Sequence, residues 1–150
     1  MNLVFLDTGP LGRVSNPKPS PENAGCFDWA RSLVAAGWRV VVPEIADYEV
    51  RRELIRVGST RGITRLDLMP SFFAYAPLTT EVMLRAAELW AEVRRRGLPT
   101  ASPHSIDGDA ILAAQALVAA GPGDRVVVAT ENAGHLGRFV ESRSWREIDP

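Results

Sequence analysis

Two patterns alternate along the chain: short uninterrupted apolar runs, and longer stretches in which apolar residues recur at helical spacing. Met1–Leu6 (MNLVFL) is apolar and stops abruptly at Asp7-Thr8-Gly9-Pro10, which predicts a buried strand meeting a turn. Trp38–Val42 (WRVVV) and Arg125–Ala129 (RVVVA) repeat the pattern and predict two further buried strands, the second being the last in the chain. Phe72–Leu78 suits a short strand, and Pro77 places it near a sheet edge.

The helical stretches lie between these runs. Gly9 to Pro21 holds four prolines and no helical period, so a loop is expected there, long for a strand-to-helix connection. A helix is predicted over Glu22–Ala36, with Phe27, Ala30, Leu33 and Val34 on one face and Gly37 as its stop. Another covers Glu44–Val57, carrying Ile45, Tyr48, Arg52 and Ile55 and closed by Gly58. Ile63–Met69 forms a third. Thr80 is expected to cap a long helix to Arg96, with Val82, Ala86, Leu89 and Val93 as its apolar stripe, and Ser105 to cap the helix Ile106–Ala119.

Fully apolar strands alternating with helices predict an α/β fold whose parallel sheet is covered on both faces. Internal repeats, low-complexity tails and a dividing linker are all missing from the pattern, so residues 1–150 read as one domain. Composition agrees: hydrophobic residues make up 46% and charged residues 23%, the balance of a globular protein. No apolar run approaches the roughly 18 residues of a membrane span, so no membrane partner is expected. The single cysteine, Cys26, has no internal disulfide partner, which suits a reducing cytoplasm. A net charge of -1 argues against coating nucleic acid by bulk electrostatics, although all but one of the 17 basic residues are arginine, the better bidentate partner for phosphate.

The acidic residues carry the chemistry. In an open parallel sheet, ligands bind at the carboxyl ends of the strands. Asp7 ends the first strand; Thr130, Glu131 and Asn132 end the Arg125 strand; Glu44 and Glu49 leave the second strand; Asp107 and Asp109 open the helix that precedes the Arg125 strand. Four chain segments thus bring carboxylates or amides to one edge. A hard divalent cation such as Mg2+ takes oxygen ligands and keeps several waters, so two or three carboxylates suffice to hold it against a phosphate.

These residues also fit a family pattern. LVFLDTGPL, PEIADYEVRREL, DGDAILAAQAL and VVVATENAGHLGRF together resemble the four signature segments of PIN-domain nucleases, the group that includes VapC-type toxins. The resemblance spans nearly the whole chain and carries the family's acidic residues over to Asp7, Glu49 (rather than Glu44) and Asp109 (rather than Asp107). It carries the closing polar pair to Thr130 and Asn132. It implies a three-layer α/β/α sandwich with about five parallel strands, and a Mg2+- or Mn2+-dependent endoribonuclease. Asp7, Glu49 and Asp109 would hold the metal. The partners implied are an RNA substrate, an antitoxin protein and a second copy in a homodimer. Many members supply a fourth acid near the closing signature. Here Asn132 and His135 stand in that region, leaving Glu131 or Asp107 as substitutes.

Other features are weighed against this reading. Arg94-Arg95-Arg96 at a helix C-terminus complements the helix dipole, and Arg51 and Arg52 stand nearer the expected cleft. His104 and His135 lack zinc spacing, and Trp29, Trp38, Trp90 and Trp145 are dispersed as core or interface residues are. Asp7-Thr8-Gly9 also spells the aspartic-protease triplet, but that chemistry needs a β-rich dimer. The alternative function is a PIN-like scaffold that binds RNA or protein without cutting.

Overall fold

The computed structural model describes residues 1–97 and 106–150. Ser105, expected as a cap, and His104 lie outside the described residues. Five strands form one sheet: β1 (Asn2–Leu6), β2 (Arg39–Pro43), β3 (Ala74–Ala76), β4 (Arg125–Thr130) and β5 (Ser142–Ser144). They are ordered β3-β2-β1-β4-β5, and every neighbouring pair is parallel. The helices are α1 (Thr8–Val14), α2 (Pro21–Ala35), α3 (Glu44–Val57), α4 (Thr60–Leu68), α5 (Thr80–Arg95), α6 (Asp107–Ala119) and the single turn α7 (Ala133–Leu136). Among the described residues no helix is long and apolar enough to cross a membrane.

The apolar runs explain the layering. Successive strand side chains point to opposite faces. Val4 and Leu6 of β1 therefore join Leu11, Ala30, Leu33 and Val50 on one side, while Leu3 and Phe5 join Val82, Leu89, Leu112 and Ala113 on the other. Both faces are dry, which is why β1, β2 and β4 lack the alternation of a half-exposed strand. Phe5 is fully buried, and truncating such a side chain to Ala costs about 3–5 kcal/mol.

The sequence-based expectations hold for most elements and fail at three places. Thr8–Val14 is a helix within the segment expected to be a loop. Pro10 sits in its first turn, where backbone N–H groups have no intrahelical acceptor, so the ring removes nothing. Asp7 caps the helix, and burial of Pro10, Leu11 and Val14 fixes it against the sheet. The second miss is β5, which follows the strand expected to be last. Its sequence, Ser-Arg-Ser, has no apolar run because it lies at the sheet edge beside β4. Third, α3 buries Ile45, Ala46, Asp47 and Val50, whereas Tyr48 and Ile55 of the expected stripe are exposed. Smaller shifts also occur: Thr79 rather than Thr80 caps α5, Val34 is exposed, and the strand Phe72–Leu78 shortens to Ala74–Ala76. Gly58 ends α3 at φ 72°, in the left-handed region its sequence position suggested.

One buried polar residue ties α6 to both α3 and β3. Gln115 of α6 accepts from the Ile45 N–H at 3.3 Å and donates to the Ala76 carbonyl at 2.7 Å. It thereby fixes α6 to the start of α3 and the end of β3. Its burial without these bonds would leave two polar groups unsatisfied, at about 1–3 kcal/mol each.

Candidate active site

The order β3-β2-β1-β4-β5 reverses direction between β1 and β4, which makes that junction the switch point where an open parallel sheet forms a crevice. Asp7 follows β1 and Thr130 ends β4, and the Asp7 N–H donates to the Ala129 carbonyl at 2.9 Å. Asp7 is therefore part of the sheet's last rung, not of a free turn. Its Oδ1 accepts from the Thr8 N–H at 2.8 Å, as a helix cap does, and its Oδ2 accepts from the Thr130 hydroxyl at 2.7 Å. The Thr130 Oγ1 in turn accepts from the Asn132 N–H at 3.0 Å.

Glu49 reaches the same place from α3. The Thr8 hydroxyl donates to its Oε2 at 3.2 Å. On the other side Glu49 lies against the first turn of α6, so close that a Cβ built on Gly108 would stand 2.8 Å from Oε1. Burial raises the Glu49 carboxyl above the ordinary glutamate value; the Thr8 bond opposes this and the charge of Asp7 adds to it. Asp109, in the first turn of α6, is pushed up to about 6 by burial first and then by Asp7, with Glu49 contributing and His135 and Arg138 opposing. The charge of Asp7 thus acts on both Glu49 and Asp109 at the switch point. The structure brings together Asp7, Glu49, Asp109 and Thr130.

The remaining predicted residues take other positions. Glu44 accepts from the Tyr75 hydroxyl at 3.2 Å, on the β3 side of the sheet. Asp107 is exposed and borders a hollow between α5 and α6 with Met83 and Trp90. Asn132 precedes α7 without a side-chain cap bond, leaving its amide exposed at the end of β4. Glu131 is ion-paired to Arg13, which also binds Glu22 at 2.8 Å, and this guanidinium holds Glu131 below the ordinary glutamate range. Arg51 is held by Asp47 at 2.8 Å and Asp67 at 2.8 Å, while Arg52 lies over the Tyr48 ring.

Sequence reading missed Thr8 and Gly108. Thr8 carries a signal in hindsight, since the residue after a strand-end acid starts the next helix and faces the cleft. Gly108 carries one too: a glycine in the first turn of a helix has a propensity cost that a close approach explains.

The donor set suits the metal that the family resemblance implies. It consists of carboxylates and hydroxyls, the oxygen ligands a hard cation prefers. Burial is the main cause of the upward shifts of Glu49 and Asp109, and the charge of Asp7 adds to both, a penalty that a divalent cation would relieve. Among the described residues no group of three or more His, Cys, Asp or Glu side chains is arranged so that it could hold a metal ion. An ion that keeps several of its waters does not need a closed cage of such ligands. The family resemblance assigns that role to Asp7, Glu49 and Asp109.

No protein-family model matches the chain, and no curated protein is detectably similar to it in sequence. Solved structures are similar in backbone. VapBC2 from Rickettsia felis, bound to a DNA fragment from its promoter, contains a chain that superposes with a TM-score of 0.69 at 15% identity, over 95% of this chain and 98% of that one. FitAcB from Neisseria gonorrhoeae gives 0.69 at 20% identity, over 97% and 99%. DNA-bound VapBC from Salmonella typhimurium gives 0.62 at 20%, again over 97% and 99%. At these identities the likeness is one of architecture, and it matches the expectation drawn from the sequence: the chain has a PIN-like α/β fold, with a five-stranded parallel sheet flanked by helices.

Proposed function

We propose that the chain is a metal-dependent endoribonuclease that hydrolyses RNA phosphodiester bonds, with Mg2+ or Mn2+ as its cofactor. The observation that carries this reading is the convergence at the sheet's switch point of Asp7, bonded by Thr130, and Glu49, bonded by Thr8 and lying against the first turn of α6 that bears Asp109. A divalent ion bound there supplies charge neutralisation for in-line displacement at phosphorus. Asp7 is pre-oriented by its bonds to the Thr8 N–H and the Thr130 hydroxyl. Glu49, half-buried and raised, is suited to orient a water molecule and take its proton as it attacks phosphorus. The bond to the 3′ oxygen breaks, and the exposed Asn132 amide donates to the phosphate. Asp107 is kept as a peripheral acid at the mouth of α6.

The fold likeness to chains of VapBC and FitAcB supports a toxin in a toxin–antitoxin pair, acting in the cytoplasm. The partners are then RNA, an antitoxin protein and a second copy of the chain. Exposed Met83 and Leu84 on α5 give the homodimer an apolar face.

Asp7→Asn tests the reading, because Asn caps a helix as well as Asp and so spares the fold. The variant should retain the wild-type circular dichroism and lose Mg2+-dependent RNA cleavage by at least a hundredfold. Full activity would overturn the assignment. RNA bound but uncut by the wild type, with or without Mg2+, would instead favour the non-cleaving scaffold.

A further inference from the structure

The segment Asn16–Ser20, between α1 and α2, borders three adjoining hollows. The first, of about 530 Å³, runs from Thr8 and Glu49 at the acidic cleft to Asn16 and Pro17. The second, of about 230 Å³, shares Arg13, Asn16, Pro17 and Asn23 with it and adds Lys18 and Arg65, with Asp28 as its one acid. The third, of about 280 Å³, shares Pro17 and Arg65 and adds Thr60, Arg61 and Thr64 from the start of α4. A continuous path therefore leads from the carboxylates to a cluster of cations.

Those cations differ from Arg13 in how they are used. Arg13 is committed to Glu22 and Glu131. Lys18, Arg61 and Arg65 form no ion pair with a carboxylate among the described residues. Lys18 and Arg61 are exposed, while Arg65 is anchored: its Nη2 donates to the Val14 carbonyl at 3.1 Å and its guanidinium lies 5.8 Å from the centroid of the Phe27 ring. Phe27 also meets the exposed Phe72 edge to face at 5.6 Å. The exposed Lys18 ammonium and Arg61 guanidinium match phosphate, and the exposed Phe72 ring against Phe27 offers a face to an unstacked base.

We propose that this path, from the acidic cleft past Pro17 to Lys18, Arg61 and Arg65, binds the phosphate backbone of a single-stranded RNA whose scissile bond lies at the cleft. The inference rests on the ribonuclease reading for the strand's direction, but the binding it states is measured separately. The Pro-rich segment has a role in it: Pro17 is the wall shared by all three hollows, and its fixed φ keeps that wall stiff.

The test is fluorescence anisotropy of a labelled single-stranded RNA oligonucleotide on the full chain, with Ca2+ replacing Mg2+, repeated across a salt series. Lys18→Ala combined with Arg61→Ala should weaken binding by about tenfold or more and flatten the log–log salt slope by about 1.4, the loss of two single-strand phosphate contacts. In Mg2+ the same variant should raise KM for the long strand with kcat unchanged, and leave dinucleotide cleavage untouched. The charge-preserving pair Lys18→Arg and Arg61→Lys should restore binding. RNA bound with this dependence but never cut would support the path and overturn the nuclease reading. Equal binding and salt slope in wild type and double variant would overturn the path and leave the nuclease reading standing. Binding of polyglutamate peptide through these residues, with no binding of RNA, would overturn the path and reassign it to an acidic protein partner.

Discussion

The hydroxyl of Thr130 donates to Asp7 Oδ2 at 2.7 Å, joining the ends of the two strands that flank the switch point. Thr130 is fully buried and its oxygen also accepts the Asn132 N–H, so one hydroxyl orients the central acid and the turn that follows β4. Thr130→Val removes this bond and leaves the Asp7 carboxylate held, among the described residues, only by the Thr8 N–H. Groups of this kind typically cost about 10–100-fold in metal affinity or activity when lost. Calorimetric titration with Mg2+ and Mn2+ should show a fall in that range, together with a stability loss of about 1 kcal/mol from the lost hydrogen bonds. Thr130→Ser should recover most of both.

Gly108 offers a substitution that separates activity from folding. A Cβ there would stand 2.8 Å from Glu49 Oε1, but that oxygen is the far end of a flexible side chain. Gly108→Ala therefore displaces Glu49 at little structural cost. Ala also favours the helix by about 0.5–1 kcal/mol over Gly. The expected outcome is an unchanged or raised melting temperature with RNA cleavage reduced at least tenfold, the two read on the same preparation. A variant as active as wild type would show that the contact does not set the position of Glu49.

The shift of Asp109 makes stability depend on pH in a stated direction. Its folded-state value of about 6 lies above the ordinary 3.8, so the fold binds the proton more tightly than the unfolded chain does. The contribution is fully present below pH 4 and is lost as pH rises through 6. Metal-free Asp109→Asn should therefore exceed wild type in stability at pH 8 and match it near pH 4. Because the group is only half-buried, solvent screening reduces the difference to about 1–2 kcal/mol. Denaturant titrations at the two pH values measure it. Adding Mg2+ should stabilise the wild type and leave the variant behind.

Local pattern singled out Asp7, and Asp107 with Asp109, because each sits where an element begins or ends, whereas Glu49 lies inside α3. Asp7 follows an apolar run, and Asp109 opens a long helix. Choosing Glu49 over Glu44 took the family resemblance, and the geometry adds a physical reason: Tyr75 holds Glu44 while Thr8 holds Glu49. What sequence did not disclose depends on long-range pairing. The hydroxyl of Thr8 meets a residue 41 positions away, and Thr130 meets one 123 positions away. The helix α1 was hidden because its first turn carries Gly9 and Pro10, residues that read as a turn until the capping Asp7 is placed in the sheet. The edge strand β5 was hidden because three polar residues give no periodic signal.

The ion pair between Glu131 and Arg13 settles how a fourth acid should be sought. Glu131 follows Thr130 directly, and from sequence it is a natural substitute for the acid that many PIN-domain nucleases place there. Its aliphatic stem instead lies over Gly9, where an added Cβ would come within 3.0 Å of Cγ, and its carboxylate turns to Arg13. That guanidinium depresses the glutamate's proton affinity, so the carboxylate is already neutralised without a metal. Glu131→Gln should therefore leave the Mg2+ titration and the cleavage rate within about threefold of wild type. Its stability should fall by no more than about 1 kcal/mol, as for other exposed pairs. A large loss of metal affinity, with the melting temperature unchanged, would instead make Glu131 a ligand that leaves Arg13 when the ion binds.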